Sequence, residues 1–283
     1  MVIKSPRFPE PGETILGGDF FMFQGGKGAN QAVAAARLGA KVDFICSLGD
    51  DVFGQNALAH YRQEGLEVSG AQVHKGMASG VAMINVNGEG ENQIIVASGS
   101  NTALSPSILE QERLRLEVAD LILTQLETPL ESVAYLAEHF GQKLILNPAP
   151  AQELPRELLS KLWLITPNET EAALLTGQAL RDAQSTQDAA KSLLDMGVQN
   201  VILTLGAKGA MFMNAEEQWL HPTAKVSAVD TTAAGDVFNG ALSVALLEGQ
   251  GWRDAVDFAC KAATLSVQKM GAQSSAPYRN ELA

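Results

Sequence analysis

Cysteine is scarce: Cys46 and Cys260 are the only two in 283 residues, far apart and without metal-ligand spacing. That excludes a disulfide-stapled scaffold and suits a reducing cytosol, each thiol reading most simply as a buried small apolar group. Basic residues are also few, 20 Lys and Arg against 32 Asp and Glu, for a net charge of −12. Nucleic-acid and membrane-surface binding both need clustered Lys and Arg, so neither is expected. An anionic ligand would have to be captured by local geometry instead. No run approaches the roughly 20 apolar residues of a membrane span. The opening "MVIKSPRFPEPGETILGG" has no basic segment followed by an apolar stretch, so no export signal is read there. A cytoplasmic location is the expectation.

What the chain does have is apolar content, 46%, enough for a sizeable core in one large α/β domain, here taken to span residues 1–283, or in two ordinary ones. Short β-branched runs recur at 41–49, 120–127, 143–150, 162–168 and 200–206 and read as strands buried on both faces. Between them lie helix patterns at 26–38, 53–64, 105–118, 130–139, 169–176 and 185–196. The βαβα alternation predicts a mostly parallel sheet with ligands at the strands' carboxyl ends. Residues 79–97 break the pattern with two strand-like runs around a Gly/Asn/Glu turn, a hairpin signal. With 13–26 it could project as a lid, drawn from roughly 13–24 and 72–98, or remain an ordinary edge hairpin. After Asp236 the chain reads as two amphipathic helices.

Four stretches invite chemistry. In "VDTTAAGDVFNGAL" (229–242), the small residues Ala233, Ala234 and Gly235 leave backbone N–H groups bare at a helix start carrying about half a positive charge. These amides could hold a phosphoryl group while Asp236 accepts a proton from an attacking hydroxyl; equally, the glycine could make a corner and the aspartate cap a helix. In "GGKGANQAVAAARLG" (25–39), glycines open the backbone while Lys27 and Asn30 offer donors; the spacing is not that of a P-loop, and close helix packing is the alternative. In "TPNETEAALLTG" (166–177), Asn168 and Glu171 share one helix face, suited to a hydrated Mg²⁺ or to simple N-capping. In "LTLGAKGA" (203–210), a strand precedes Gly206 and Gly209, as a nucleotide site or a plain turn would require.

Taken in order, these stretches resemble the ribokinase family of sugar and nucleoside kinases, and the likeness extends to "FPEPGET" (8–14), "GEGEN" (88–92), "LNPAPA" (146–151) and "TPNETEA" (166–172). The resemblance implies a three-layer αβα sandwich with a mostly parallel central sheet plus a small β-sheet lid. It implies ATP-dependent phosphorylation of a small sugar, foremost D-ribose at its 5-hydroxyl, or of another sugar or nucleoside. Asp236 would be the base and Ala233, Ala234 and Gly235 the anion hole. Gly26, Lys27, Gly28, Ala29, Asn30 and Glu127 would bind the sugar. The nucleotide would meet Asn168, Thr204, Leu205, Gly206, Ala207, Lys208, Gly209, Gly235, Asp236 and, near adenine, Cys260. Glu171 would organise Mg²⁺ through water, and Asp230, Thr232, Ser266, Lys269, Gly271 and Ser275 would surround an activating K⁺. The lid implies a homodimer.

Three departures follow. Many family members carry glycine at the position of Ala233, and a hydroxyl residue at that of Val237. The family also opens on a strand ending Gly-x-Asn-x-Asp, whose aspartate serves the sugar. No residue from Met1 onward matches it, so the sequence is expected to be a shortened form, with a non-catalytic sugar or nucleotide binder as the alternative.

Overall fold

The computed structural model describes residues 1–282. Twelve strands and ten α-helices follow one another along the described residues. The strands are β1 (Val2–Lys4), β2 (Phe20–Phe21), β3 (Ser47–Gly49), β4 (Gln72–His74), β5 (Val81–Val86), β6 (Asn92–Ala97), β7 (Ile122–Thr124), β8 (Leu144–Leu146), β9 (Leu164–Ile165), β10 (Asn200–Thr204), β11 (Ala210–Asn214) and β12 (Gln218–His221). The helices are α1 (Lys27–Arg37), α2 (Val52–Gln63), α3 (Pro106–Gln111), α4 (Arg113–Val118), α5 (Leu130–Phe140), α6 (Arg156–Leu159), α7 (Glu169–Thr176), α8 (Ala183–Asp195), α9 (Ala234–Leu247) and α10 (Trp252–Ser266).

The six-stranded central sheet has the order β12-β11-β10-β9-β8-β7. Strands β7 to β10 run parallel, while β11 and β12 join antiparallel at one side. Strand periodicity sends alternate side chains to opposite layers. Leu144, Leu146, Val201, Leu203, Met211 and Met213 face a cluster with Leu136 of α5 and Leu193 of α8. Ile145, Ile202 and Phe212 face the opposite cluster, packed by α1, α9 and α10. This is the α/β sandwich read from the sequence, and it explains why the strand runs are apolar on both faces.

The hairpin β5–β6 forms as its turn chemistry predicts, within a four-stranded lid of order β2-β1-β5-β6. The lid limits need correction. Residues 72–74 lie in β4, which pairs parallel to β3 in a separate two-stranded sheet, and the place between β2 and β5 is taken by Val2–Lys4. The 41–49 run also departs from expectation, because only Ser47–Gly49 is strand and it does not join the six-stranded sheet. Hydrogen bonds from Phe44, Glu67 and Gln72 tie that run to residues 67–72 on one side. Its other side and the outer edge of β7 line a common cavity of about 2080 Å³. No strand of the described residues stands between them to carry the ladder across. The 105–118 helix is two short helices, broken at Glu112, whose ψ of 12° leaves the helical region.

Candidate active site

The site is assembled where apolar strands run out into polar residues. Gln125, Asn147 and Thr166 follow directly on β7, β8 and β9, and Glu127 lies two residues beyond Gln125. Helices α1 and α9 bring the remaining groups. Their approach depends on Gly240, one turn beyond Asp236: a Cβ there would lie 2.7 Å from the Gln31 carbonyl oxygen and 2.8 Å from Ala34 Cβ. Glycine at 240 thus lets α1 settle against α9 and face its Asn30 and Gln31 toward Asp236.

Asp236 is 6% exposed and opens onto the large cavity. Asn30 Nδ2 donates to its Oδ2 at 2.8 Å and Gln31 Nε2 to its Oδ1 at 3.0 Å. Burial pushes its carboxyl above the ordinary aspartate range; the charge of Lys27 and the two amide donors offset this in part, while Glu127 adds to it. A carboxylate so held is a proton acceptor poised closer to neutrality than a free aspartate.

The turn before it differs from an ordinary helix start. Ala233 has φ of 61°, the left-handed region that an L side chain enters at a cost of roughly 1–2 kcal/mol. That conformation is the physical reason glycine suits this position. Among the described residues, the N–H groups of Ala233, Gly235 and Asp236 donate to no protein acceptor, while that of Ala234 meets the Thr231 carbonyl at 3.3 Å. A Cβ added at Gly235 would meet nothing within 4 Å. Bare amides beside open space at the start of a 14-residue helix are suited to seat an anion. Val237 turns instead into the helix core, so a hydroxyl lost there removes nothing from that seat.

Lys27, Asn30 and Glu127 line the same cavity as Asp236. The Lys27 N–H donates to Glu127 Oε2 at 2.8 Å, tying the glycine turn of residues 25–28 to the end of β7. Gly26 and Gly28 also line the cavity, and Ala29 is buried beside them.

The expected nucleotide residues gather on a neighbouring edge. Asn168 bridges in parallel to Thr204, and the Leu205 N–H closes a turn on the Gly209 carbonyl at 2.8 Å. Gly209, with φ of 100°, would place a Cβ 1.9 Å from the His221 carbonyl, so no other residue fits. Gly206, Ala207 and Lys208 are exposed along this turn, Lys208 pairing with Glu169 at 2.9 Å. Glu171 forms a capping box with Asn168, taking 2.9 Å hydrogen bonds from its backbone and side-chain nitrogens. Burial raises the Glu171 carboxyl; the Asn168 bond and Lys27 lower it, and the charge of Asp236 raises it further. The capping alternative and a position near Asp236 therefore hold together.

Of the residues expected around a monovalent cation, Asp230, Thr232 and Gly271 converge. Asp230 accepts from both of the other two backbones at 2.9 Å. Burial opposes its charge, but these hydrogen bonds outweigh it and hold the carboxyl below the ordinary range. Ser266 and Ser275 donate to the carbonyls of Ala263 and Ala272, and Lys269 pairs with Glu281. Among the described residues no cluster of three or more His, Cys, Asp or Glu is placed to hold a metal. Cys260 is buried in the α9–α10 core and does not line the cavity, and burial drives its thiol to about 12.

What sequence reasoning passed over is a set of buried polar side chains, Gln31, Asn147, Thr166 and Asn239. A signal existed for part of it: the apolar runs "LIL" and "LWLI" each end on a polar residue at the strand's carboxyl end.

A doubly covered, mostly parallel sheet with bare amides at a helix start beside a buried carboxylate is the arrangement a phosphotransferase acting on a small hydroxyl compound requires. The chain belongs to the pfkB family of carbohydrate kinases, whose family model matches residues 1–279. It is 46% identical to a ribokinase of Haemophilus influenzae, over 99% of this chain and 92% of that one. The ribokinase structure of Thermotoga maritima superposes with a TM-score of 0.92 at 40% identity, covering 99% of this chain and 93% of that chain. An Arabidopsis thaliana ribokinase complexed with ribose and ATP superposes with a TM-score of 0.93 at 30% identity, with coverage of 99% and 93%. Among the described residues no helix is long and apolar enough to cross a membrane.

Proposed function

We propose that this chain transfers the terminal phosphoryl group of ATP to the 5-hydroxyl of D-ribose. The observation that carries the reading is the position of Asp236, whose carboxylate faces the cavity while its own N–H belongs to the anion seat. The sugar oxygen attacks the γ-phosphorus, its proton passes to Asp236, and the bond to the bridging oxygen breaks to release ADP. The amides of Ala233, Gly235 and Asp236 would take up charge on the transferring group, where most of the catalysis of such reactions resides. Glu127 and Asn30 would accept and donate hydrogen bonds to the ring hydroxyls, and the turn Thr204–Gly209 with Asn168 would carry the nucleotide. The relative solved with ribose and ATP supports both ligands.

Mg²⁺ would enter with ATP and neutralise phosphate charge. Both Glu171 oxygens already accept hydrogen bonds, so this residue suits an outer-sphere role through water. Asp230 with neighbouring backbone oxygens is an all-oxygen set suited to K⁺, which would steady the turn leading to Ala233. The lid exposes Met22 at 68% and Ile95 at 73%, apolar surface that a second copy would cover as a homodimer. The enzyme would work in the cytoplasm.

Mg²⁺- and K⁺-dependent ADP release over a panel of pentoses and hexoses tests the reading. Ribose should give the highest kcat/KM; preference for another sugar reassigns the substrate, and binding of ribose or ATP without turnover would make the chain a binder.

A further inference from the structure

Gln31 is 1% exposed, yet every polar atom of its side chain has a partner. Nε2 spends one hydrogen on Asn147 Oδ1 at 3.0 Å and the other on Asp236 Oδ1 at 3.0 Å, while Oε1 accepts from Gln125 Nε2 at 2.5 Å. The chain of amides continues. Asn147 Nδ2 donates to the Thr166 carbonyl at 3.1 Å, Thr166 Oγ1 donates to Asn239 Oδ1 at 2.6 Å, and Asn239 Nδ2 donates to the Gly235 carbonyl at 2.8 Å. The ring therefore closes on itself: it leaves Asp236 through its side chain and returns through the peptide that carries the Asp236 N–H.

The direction of every amide follows from two fixed acceptors, the Gly235 carbonyl for Asn239 and the Thr166 carbonyl for the rest. A backbone carbonyl cannot donate, so at Thr166 it must face the Asn147 amino group. Asn147 then presents oxygen to Gln31, and Gln31 must present nitrogen to both Asn147 and Asp236. The reverse orientation would set three acceptor oxygens against one another in a buried place.

We propose that Gln31 is a positioning residue for the transfer reaction: its amide, locked by Gln125 and Asn147, pins Asp236 Oδ1, leaving Oδ2, held by Asn30 alone, as the oxygen that takes the sugar proton. This rests on the assignment of Asp236 as the base. It also counters the burial of that group, because an N–H donor favours the carboxylate over the acid. The other charged groups bearing on Asp236 are Lys27 from α1, Glu127 from beyond β7 and Glu171 from α7. Lys27 favours the carboxylate, and the two glutamates oppose it.

The test titrates the Asp236 carboxyl directly by ¹³C NMR in aspartate-labelled full-length protein, with Asp236→Asn assigning the signal, alongside pH profiles of kcat and kcat/KM for ribose. Gln31→Met, close in volume and unable to donate, should raise the carboxyl midpoint by about one unit, with the acid limb of kcat moving in step. Gln31→Glu, isosteric, should raise it further by placing a second carboxylate against Asp236. ATP affinity should stay within about twofold of the parent, and sugar KM should change less than kcat. A midpoint that does not move in either variant, or a kcat lowered equally at every pH, would overturn the proposal. Whichever of the two variants folds is sufficient for the titration. Full turnover in Asp236→Asn would instead remove the base assignment, an outcome the titration does not share.

Discussion

The backbone N–H of Lys27 rests 2.8 Å from Oε2 of Glu127, one hundred residues further along the chain. This contact joins the glycine turn that opens α1 to the carboxyl end of β7. It makes one carboxylate serve two tasks, holding the turn and facing the cavity. Glu127→Ala should therefore loosen the turn and remove a hydroxyl acceptor together, raising the sugar KM by more than tenfold, since a hydrogen bond to a charged group is worth about 1.5–3 kcal/mol. Glu127→Gln retains an acceptor for the Lys27 amide and should recover part of the loss in the same steady-state assay.

Asp236→Asn should lower kcat by about two to four orders of magnitude, the usual contribution of a positioned base, while ATP binding by calorimetry stays near the parent value.

The same carboxyl makes a stability prediction. Its folded-state pKa lies above the ordinary aspartate range, because burial penalises the charged form. The sign follows from linkage: the group's favourable contribution is complete below the unfolded value and is lost as pH rises through the raised folded value. The melting temperature of the parent relative to Asp236→Asn should accordingly decline across that window and level off above it. A difference that grows with pH would contradict burial as the dominant cause.

Ala233→Gly relieves the left-handed strain at φ 61° but loosens the unfolded chain. The first effect is roughly 1–2 kcal/mol and the second roughly 0.5–1, so stability should rise by up to about 1.5 kcal/mol, measured by urea unfolding. Gly235→Val should leave the fold nearly intact, because its Cβ meets open space, and should abolish turnover by filling the seat meant for the phosphoryl group.

Cys46 and Cys260 are both driven to about 12 by burial. Cys260 should not react with iodoacetamide at pH 8 in the native protein, the half-buried Cys46 on the cavity wall should react more slowly than in denaturant, and both should react fully once unfolded, as intact-mass spectrometry would show.

The sequence by itself determined the sandwich. Apolar runs able to bury both faces, such as "LIL" at 144–146 and "VILT" at 201–204, leave a parallel sheet as their physical outcome, and α5 and α7 begin where their patterns begin. It also singled out the residues proposed here as anion seat and base, because bare amides at a helix start are a local property. Only tertiary structure decided which long-range partners meet: β1 with β5, β3 with β4, and Gln31 with Asp236 205 residues away. Local pattern records how a residue treats its neighbours in the chain. The orientation of a buried amide is instead set by acceptors brought from other strands and helices, and those appear only when the layers close.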